Sequence, residues 1–353
     1  MEVPLVWCVD RRPRRGRRTR HEDQLLVADA IVIDRQEIGD AVALLREGGL
    51  VAFPTETVYG LGCDARNRDA LHRLYAVKGR PADHPVIVHL PSAEHLYTWS
   101  SGVPEPARVL TDACWPGPLT VIVPRAADVP DEVTGGRTGV GLRVPDQPIA
   151  LALLEAFDGG LAAPSANRFG RVSPTTADDV RADLDGDVDM VLDGGACTVG
   201  VESTIVDCTG DHPLVVRIGG VPTAQVEALL GEEVALAVDG QRAAPGTLAV
   251  HYAPDAAVVL VHQREVVIEA ASLLAAGKRV GALGLDLPAE LSRDVVVLAA
   301  PANVDEYARV LYARLREADR LELDVLLVIP PPPDRIGAAV VDRLRRASSR
   351  RAP

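Results

Sequence analysis

Polar side chains stand inside or directly after apolar runs at several places in this chain. Thr55, Glu56 and Thr57 follow the run Leu50–Phe53, and Lys78 and Arg80 stand in KGRP at the end of a helical stretch. Arg143 interrupts VGLRV, Ser165 and Asn167 lie in APSAN, and Ser173 lies in VSPTT. Ser203 precedes TIVD, and Arg217 sits within VVRI. Arginine forks and a lysine suit phosphate or carboxylate ligands, and hydroxyls add hydrogen bonds to the same oxygens. Taken singly, each has a plainer use. Ser173 or Thr175 fits a helix N-cap, Lys78 a helix C-terminus, and Arg143 and Arg217 paired charges on edge strands. Taken together they are a recurring placement of hydroxyls and cations at strand ends, where α/β and α+β folds build sites.

The elements that must carry these residues are short. Apolar runs predict strands at Leu50–Phe53, Val86–Leu90, Leu119–Val123, Val140–Val144, Met190–Leu192, Thr204–Asp207 and Val215–Ile218. Helical periodicity marks Ile38–Glu47, Ala70–Lys78, Ile149–Phe157, Thr176–Leu184 and Ala224–Leu230. Residues 241–256, with Pro245, Gly246 and Pro254, read as a connector between two domains. Beyond it, strand Val258–Val261, helix Val266–Ala276, strand Val280–Leu283, helix Val304–Arg320 and strand Val325–Ile329 form a βαβαβ pattern. That pattern predicts a small parallel sheet.

Composition narrows the classes. The 353 residues fit two domains, and 47% hydrophobic content with a net charge of −13 fits packed cores rather than a disordered chain. No apolar run approaches the roughly 20 residues of a spanning helix. Seven arginines crowd residues 11–20, so the rest of the chain carries all of the acidity, which argues against broad nucleic-acid coating. That basic stretch reads as a disordered extension over 1–27. Five widely spaced cysteines without a CxxC or HExxH pattern indicate neither zinc nor a disulfide framework, and a reducing cytoplasm is expected. There is no Walker-type phosphate loop and no GxSxG elbow. GLGCDA at 60–65 matches the dinucleotide pattern GxGxxA, but the spacing suits an ordinary tight turn better, and no NAD site is expected.

Six motifs in order then resemble a known family: FPTETVYGL (53–61), KGRP (78–81), WPGPLT (115–120), APSAN (163–167), GVESTIVD (200–207) and the connector's HYAP (251–254). DRLRRA (342–347) resembles the same family's tail. The family is that of threonylcarbamoyl-AMP synthases, in the form that joins a YrdC-type catalytic domain to a smaller C-terminal domain. The resemblance implies a twisted open α/β catalytic sheet over 28–240 and a Rossmann-like α/β domain over 257–346, followed by a tail at 347–353. It implies a cytoplasmic nucleotidyltransferase that makes L-threonylcarbamoyl-AMP and pyrophosphate from L-threonine, bicarbonate or CO2, and ATP. The product would feed a tRNA-modifying threonylcarbamoyl-transferase machinery.

The resemblance also distributes roles. Thr57, His89, Arg143, Ala163 and Ser203 would hold threonine, with Arg143 as the fork for its carboxylate. Lys78, Arg80 and Ser165 would serve the reacting phosphates. Arg80, His84, Gly139 (or Thr138), Ser165, Asn167, Ser173, Arg217 and Tyr252 would hold ATP, with Tyr252 closing over it. Mg2+ is implied by the pyrophosphate leaving group, though no acidic cluster marks its ligands. Two departures stand out: His84 occupies a place where the family usually has Asn, and the connector reads PGTLAV directly before HYAP, where many relatives carry basic and aromatic residues. A competing reading from another class is a non-catalytic module that binds double-stranded RNA or tRNA.

Overall fold

The computed structural model describes residues 25–28, 31–237, 252–298 and 300–348, with side chains from Asp34 onward. The arginine-rich stretch and connector residues 241–251 lie outside them. A hairpin of β1 (Leu25–Ala28) and β2 (Ile31–Asp34) comes first, beginning inside the stretch expected to be a disordered extension. Its sequences, LLVA and IVID, favour strands. Helix α1 (Arg35–Arg46) follows, capped by Asp34 accepting from the Gln36 N–H at 2.8 Å.

Ten further strands form one mixed sheet: β3 (Val51–Phe53), β4 (Gly60–Asp64), β5 (Ile87–His89), β6 (Leu119–Pro124), β7 (Gly139–Arg143), β8 (Leu161–Ala162), β9 (Met190–Val191), β10 (Thr204–Asp207), β11 (Leu214–Arg217) and β12 (Ala235–Leu236). Their order is β12-β11-β10-β6-β7-β5-β8-β4-β3-β9. Helices α2 (Arg68–Lys78), α3 (Leu96–Trp99), α4 (Glu105–Cys114), α5 (Asp131–Thr134), α6 (Pro148–Phe157), α7 (Ala177–Leu184) and α8 (Thr223–Leu230) connect them. Helix α4 escaped the sequence reading because Pro104 and Pro106 punctuate its start; both precede the point where a helix needs its own N–H donors.

Residues 60–65 are the clearest correction. They form neither a tight turn nor a phosphate loop: Gly60–Asp64 is strand β4, antiparallel to β3 and to β8. A Cβ at Gly62 would lie 2.7 Å from Phe53 Cε1, so this glycine makes room for a neighbouring ring on the sheet.

After the connector come β13 (Ala257–Leu260), α9 (Val266–Ala275), β14 (Val280–Leu283), β15 (Val296–Val297), α10 (Val304–Arg320), β16 (Val325–Val328) and α11 (Gly337–Ser348). All pairings among the four strands are parallel, in the order β13-β16-β14-β15, as the βαβαβ pattern predicts. The short β15 and helix α11 are additions to the expected pattern.

The two sheets are joined by packing. One apolar cluster unites Val58, Val172, Val199 and Val201 with Tyr252 and with Leu311, Tyr312, Leu315, Val340 and Leu344 of α10 and α11. Gly200 permits this approach, since a Cβ there would sit 2.4 Å from the Arg309 Cα. Among the described residues no helix is long and apolar enough to cross a membrane.

Candidate active site

Strand register brings the polar residues to one place. His89 and Arg143 are register partners at the C-terminal ends of the parallel strands β5 and β7. Strand β10 runs antiparallel to β11, so Arg217 at the end of β11 meets Ser203 just before β10. The backbone after β8 folds along β4, where Ser165 bridges Gly60. Between them lies a cavity of about 550 Å³, counted out to its open mouth. It is lined by Thr57, Arg80, His89, Arg143, Ala163, Ser165, Ser203, Arg217 and Tyr252 of the predicted set, together with Thr55, Val58, Gly60, Ile87, Pro164 and Glu202.

The polar atoms are held firmly. Thr55 Oγ1 lies 2.8 Å from Thr57 Oγ1 and donates to the Val58 carbonyl at 2.6 Å, which fixes the connection between β3 and β4. Ser203 Oγ is 2.8 Å from Thr120 Oγ1 and accepts from Arg217 Nη2 at 3.0 Å, while Arg217 Nε donates to the Ser203 carbonyl at 3.0 Å. Arg80 donates through Nη2 to the Pro85 carbonyl at 2.7 Å and lies over the Phe169 ring at 5.7 Å. Burial lowers its pKa to about 10, which leaves it charged at neutral pH.

Two groups in the wall have hydrogen-bonding capacity to spare. Arg143 donates through Nε to the Gly117 carbonyl at 3.2 Å, and its Nη2 stands 2.7 Å from Glu56 Oε1. That ion pair is close but poorly aligned, so Arg143 Nη2 and both Glu56 oxygens lack a hydrogen-bond partner. His89 Nδ1 also lacks one. Burial, and then the Arg143 charge, push the His89 pKa well below the ordinary histidine value, so its imidazole is neutral at pH 7.

Other predicted residues stand behind the wall. Lys78 is buried, and its Nζ donates at 2.5 Å to the carbonyls of both Ser165 and Asn167. It tethers the APSAN loop and does not line the cavity. Burial, with Arg80 second, pushes its pKa well down. Asn167 donates to the carbonyls of Arg168 and Arg171 at 2.8 and 2.9 Å, which shapes the same loop. Ser173 is fully buried and donates to Glu202 Oε1 at 2.8 Å; the cap of α7 is Thr176, in a capping box with Asp179. His84 packs edge-on against Phe169 at 5.5 Å, and Gly139 packs against Ile122 and Thr209. These five are outside the cavity lining.

Glu202 is the residue the sequence reading passed over, although it lies within the quoted motif GVESTIVD. Its carboxylate accepts from Ser173, from the Tyr312 hydroxyl at 3.0 and 2.8 Å, and from Arg343 Nε at 2.8 Å. Burial alone would raise its pKa, but Arg343 and Arg217 hold it at about 2. Tyr252, at a left-handed φ of 61°, stacks on Tyr312 with ring centres 5.5 Å apart and lies beneath Arg343 at 5.2 Å. The second domain therefore reaches the cavity wall through Tyr312 and Arg343.

Cys63, Cys114, Cys197 and Cys208 are buried and form no disulfide with one another, and burial raises the pKa of Cys63, Cys197 and Cys208, which disfavours them as nucleophiles. Among the described residues no three His, Cys, Asp or Glu are grouped to hold a metal ion. The arrangement suits an anionic ligand held by forks and hydroxyls.

Known proteins share this architecture. A family model described as telomere recombination, covering Sua5, YciO and YrdC proteins, matches residues 43–219. A second, described as threonylcarbamoyl-AMP synthase, C-terminal domain, matches residues 221–349. The chain is 40% identical over 330 residues to a threonylcarbamoyl-AMP synthase of Pyrococcus abyssi, covering 90% of this chain and 96% of that one. It is 38% identical over 334 residues to that of Bacillus subtilis, covering 92% and 96%. The crystal structure of P. abyssi Sua5 complexed with L-threonine matches with a TM-score of 0.85 at 39% identity, covering 90% of this chain and 95% of that one. On motifs, fold and cavity alike, the chain belongs to the threonylcarbamoyl-AMP synthase family, in its two-domain form.

Proposed function

We propose that the protein is an L-threonylcarbamoyladenylate synthase, acting as a nucleotidyltransferase on the carbamate of threonine. The observation that carries this reading is the convergence of Arg80, Arg143 and Arg217 on one cavity with Thr57, His89, Ser165 and Ser203. The threonine amine forms a bond to CO2 and releases one proton. The resulting carbamate oxygen bonds to the α-phosphorus of ATP as the bond to pyrophosphate breaks. The protein's part is to position and neutralise.

Arg143 is the fork for the threonine carboxylate, which would satisfy the Nη2 that Glu56 leaves without a hydrogen bond. Neutral His89, with its open Nδ1, accepts from an N–H or hydroxyl of the same amino acid. Arg80 and Arg217 face the phosphates, with Ser165 and the backbone at Ala163 between the two substrates. Lys78 is a positioning residue here, acting through the loop it holds. Tyr252 closes the ATP side. Mg2+ would travel with the triphosphate, whose own oxygens supply its ligands. The adenylate then serves a partner that transfers threonylcarbamoyl to adenosine in tRNA.

The test is pyrophosphate release from ATP that depends on both threonine and bicarbonate, with no tRNA present. Arg80→Ala is expected to lower it by about 10²–10³-fold, the usual effect of losing one positioned donor, and Lys78→Ala is expected to lower it by releasing the loop that carries Ser165. Unchanged turnover in the folded Lys78→Ala variant would overturn its place in the site. No release from the wild type, together with salt-sensitive tRNA binding, would replace the synthase by an RNA-binding module.

A further inference from the structure

Glu202 raises a problem for a site that takes a polyanion. Glu202 lines the cavity beside Ser203, and its carboxylate lies within electrostatic reach of Arg217. A carboxylate so placed repels phosphate and competes for the arginine that phosphate needs. Within its own domain the donor it has is the Ser173 hydroxyl, which brings no charge. The compensating cation, Arg343, comes from α11 of the second domain, 141 residues away in sequence, with Tyr312 of α10 bonding both carboxylate oxygens. Arg343 is completely buried, so its charge serves no surface purpose. Asp342 Oδ2, 2.5 Å from Arg343 Nη1, holds the other end of the guanidinium and aims Nε at Glu202.

We infer that Arg343 and Tyr312 are positioning residues of the nucleotide site: by holding and neutralising Glu202 in the cavity wall, they let that wall accept a polyanion. The inference rests on the ATP-dependent reading above. It gives the second domain a task in substrate binding that is separate from any motion of the connector. Tyr252 fits the same arrangement, since it rests on Tyr312 and under Arg343 while facing the cavity. A merely structural role for the ion pair predicts something different: equal damage to both substrates, and no recovery when the carboxylate is neutralised.

Equilibrium binding of ATP and of threonine by calorimetry separates these cases without requiring turnover. Arg343→Met is expected to weaken ATP binding at least about tenfold, with threonine binding changed less than about threefold. The double variant Glu202→Gln/Arg343→Met is expected to bring ATP binding back to within about threefold of wild type, because no uncompensated carboxylate remains in the wall and Asp342 keeps its pair with Arg346. Unchanged ATP binding in Arg343→Met, equal losses for both ligands, or no recovery in the double variant would each overturn the inference. Should Arg343→Met not fold, Tyr312→Phe reads the same effect at about threefold for ATP alone, and an unchanged value overturns it. A wild-type protein that binds no ATP would overturn the proposed function and this inference together; ATP binding indifferent to Arg343 overturns this inference alone.

Discussion

Two buried carboxylate–arginine pairs flank the same cavity, and they are built differently. Glu56, in the connection between β3 and β4, and Arg143 of β7 both belong to the first domain; their atoms approach to 2.7 Å, yet neither carboxylate oxygen has a hydrogen-bond donor. Glu202 and Arg343 span two domains, and the carboxylate collects donors from Ser173, Tyr312 and Arg343. Burying an ion pair is costly unless its remaining hydrogen-bonding capacity is met. The second pair's carboxylate is saturated, with Arg343 Nη2 the atom left without a hydrogen bond, and that carboxylate is therefore a fixed part of the wall. The incomplete pair leaves Arg143 Nη2 open to an incoming carboxylate, while the Glu56 oxygens can be met only by a donor.

The largest effect should come from the incomplete pair. Arg143→Met removes the fork and leaves Glu56 buried without its cation; threonine-dependent pyrophosphate release is expected to fall about 10²–10³-fold. Adding Glu56→Gln should restore stability in urea unfolding but not turnover. If turnover returns as well, Arg143 serves only its ion pair and the contrast between the two pairs is lost.

The saturated pair should be read in stability. The Glu202 carboxyl titrates near 4.5 when unfolded and near 2 in the fold. Its ionised form is thus favoured by folding: the contribution is complete above pH 4.5 and is lost as pH falls from there through 2. The shift corresponds to about 3 kcal/mol. Urea midpoints measured across that window should fall less steeply in Glu202→Gln than in wild type. Parallel slopes would show that the pair adds nothing to stability.

The smallest effect belongs to an exposed contact between the first domain and the end of the connector. Arg171 and Asp255 pair at 2.6 Å with side chains 46% and 63% accessible. Arg171→Ala is expected to cost less than about 1 kcal/mol, with turnover and ATP affinity unchanged. A larger loss would mean that interface strength does not follow burial here.

Much of this was legible in the chain. The strands carrying His89, Arg143 and Arg217 announce themselves as apolar runs, and polar residues at their ends mark the cavity. Less legible was which side chains face inward. Lys78 looks like a phosphate ligand by type, but its ammonium serves two loop carbonyls; Ser173 looks like a cap or a ligand, but serves Glu202. Distinguishing a residue that touches a ligand from one that holds its neighbour needs the third dimension. Glu202 was hidden for another reason. Its meaning depends on Arg343 and Tyr312, and no local pattern links positions 202, 312 and 343. GLGCDA failed because a short glycine pattern says that backbone comes close to something without saying to what.

The distance in sequence between Glu202 and Arg343 bears on how the molecule comes into being. Chains emerge and fold from the N-terminal side, domain by domain. The large sheet can assemble around Glu202 while α11 has yet to be synthesised, and for that interval the carboxylate faces the open interface without Arg343. Docking of the second domain ends that imbalance, so the last assembly step is driven by charge as well as by apolar contact. On the proposed role of Arg343, the pocket's affinity for a polyanion is then a property of the chain with both domains docked, and a nascent chain halted before residue 343 is expected to bind ATP more weakly.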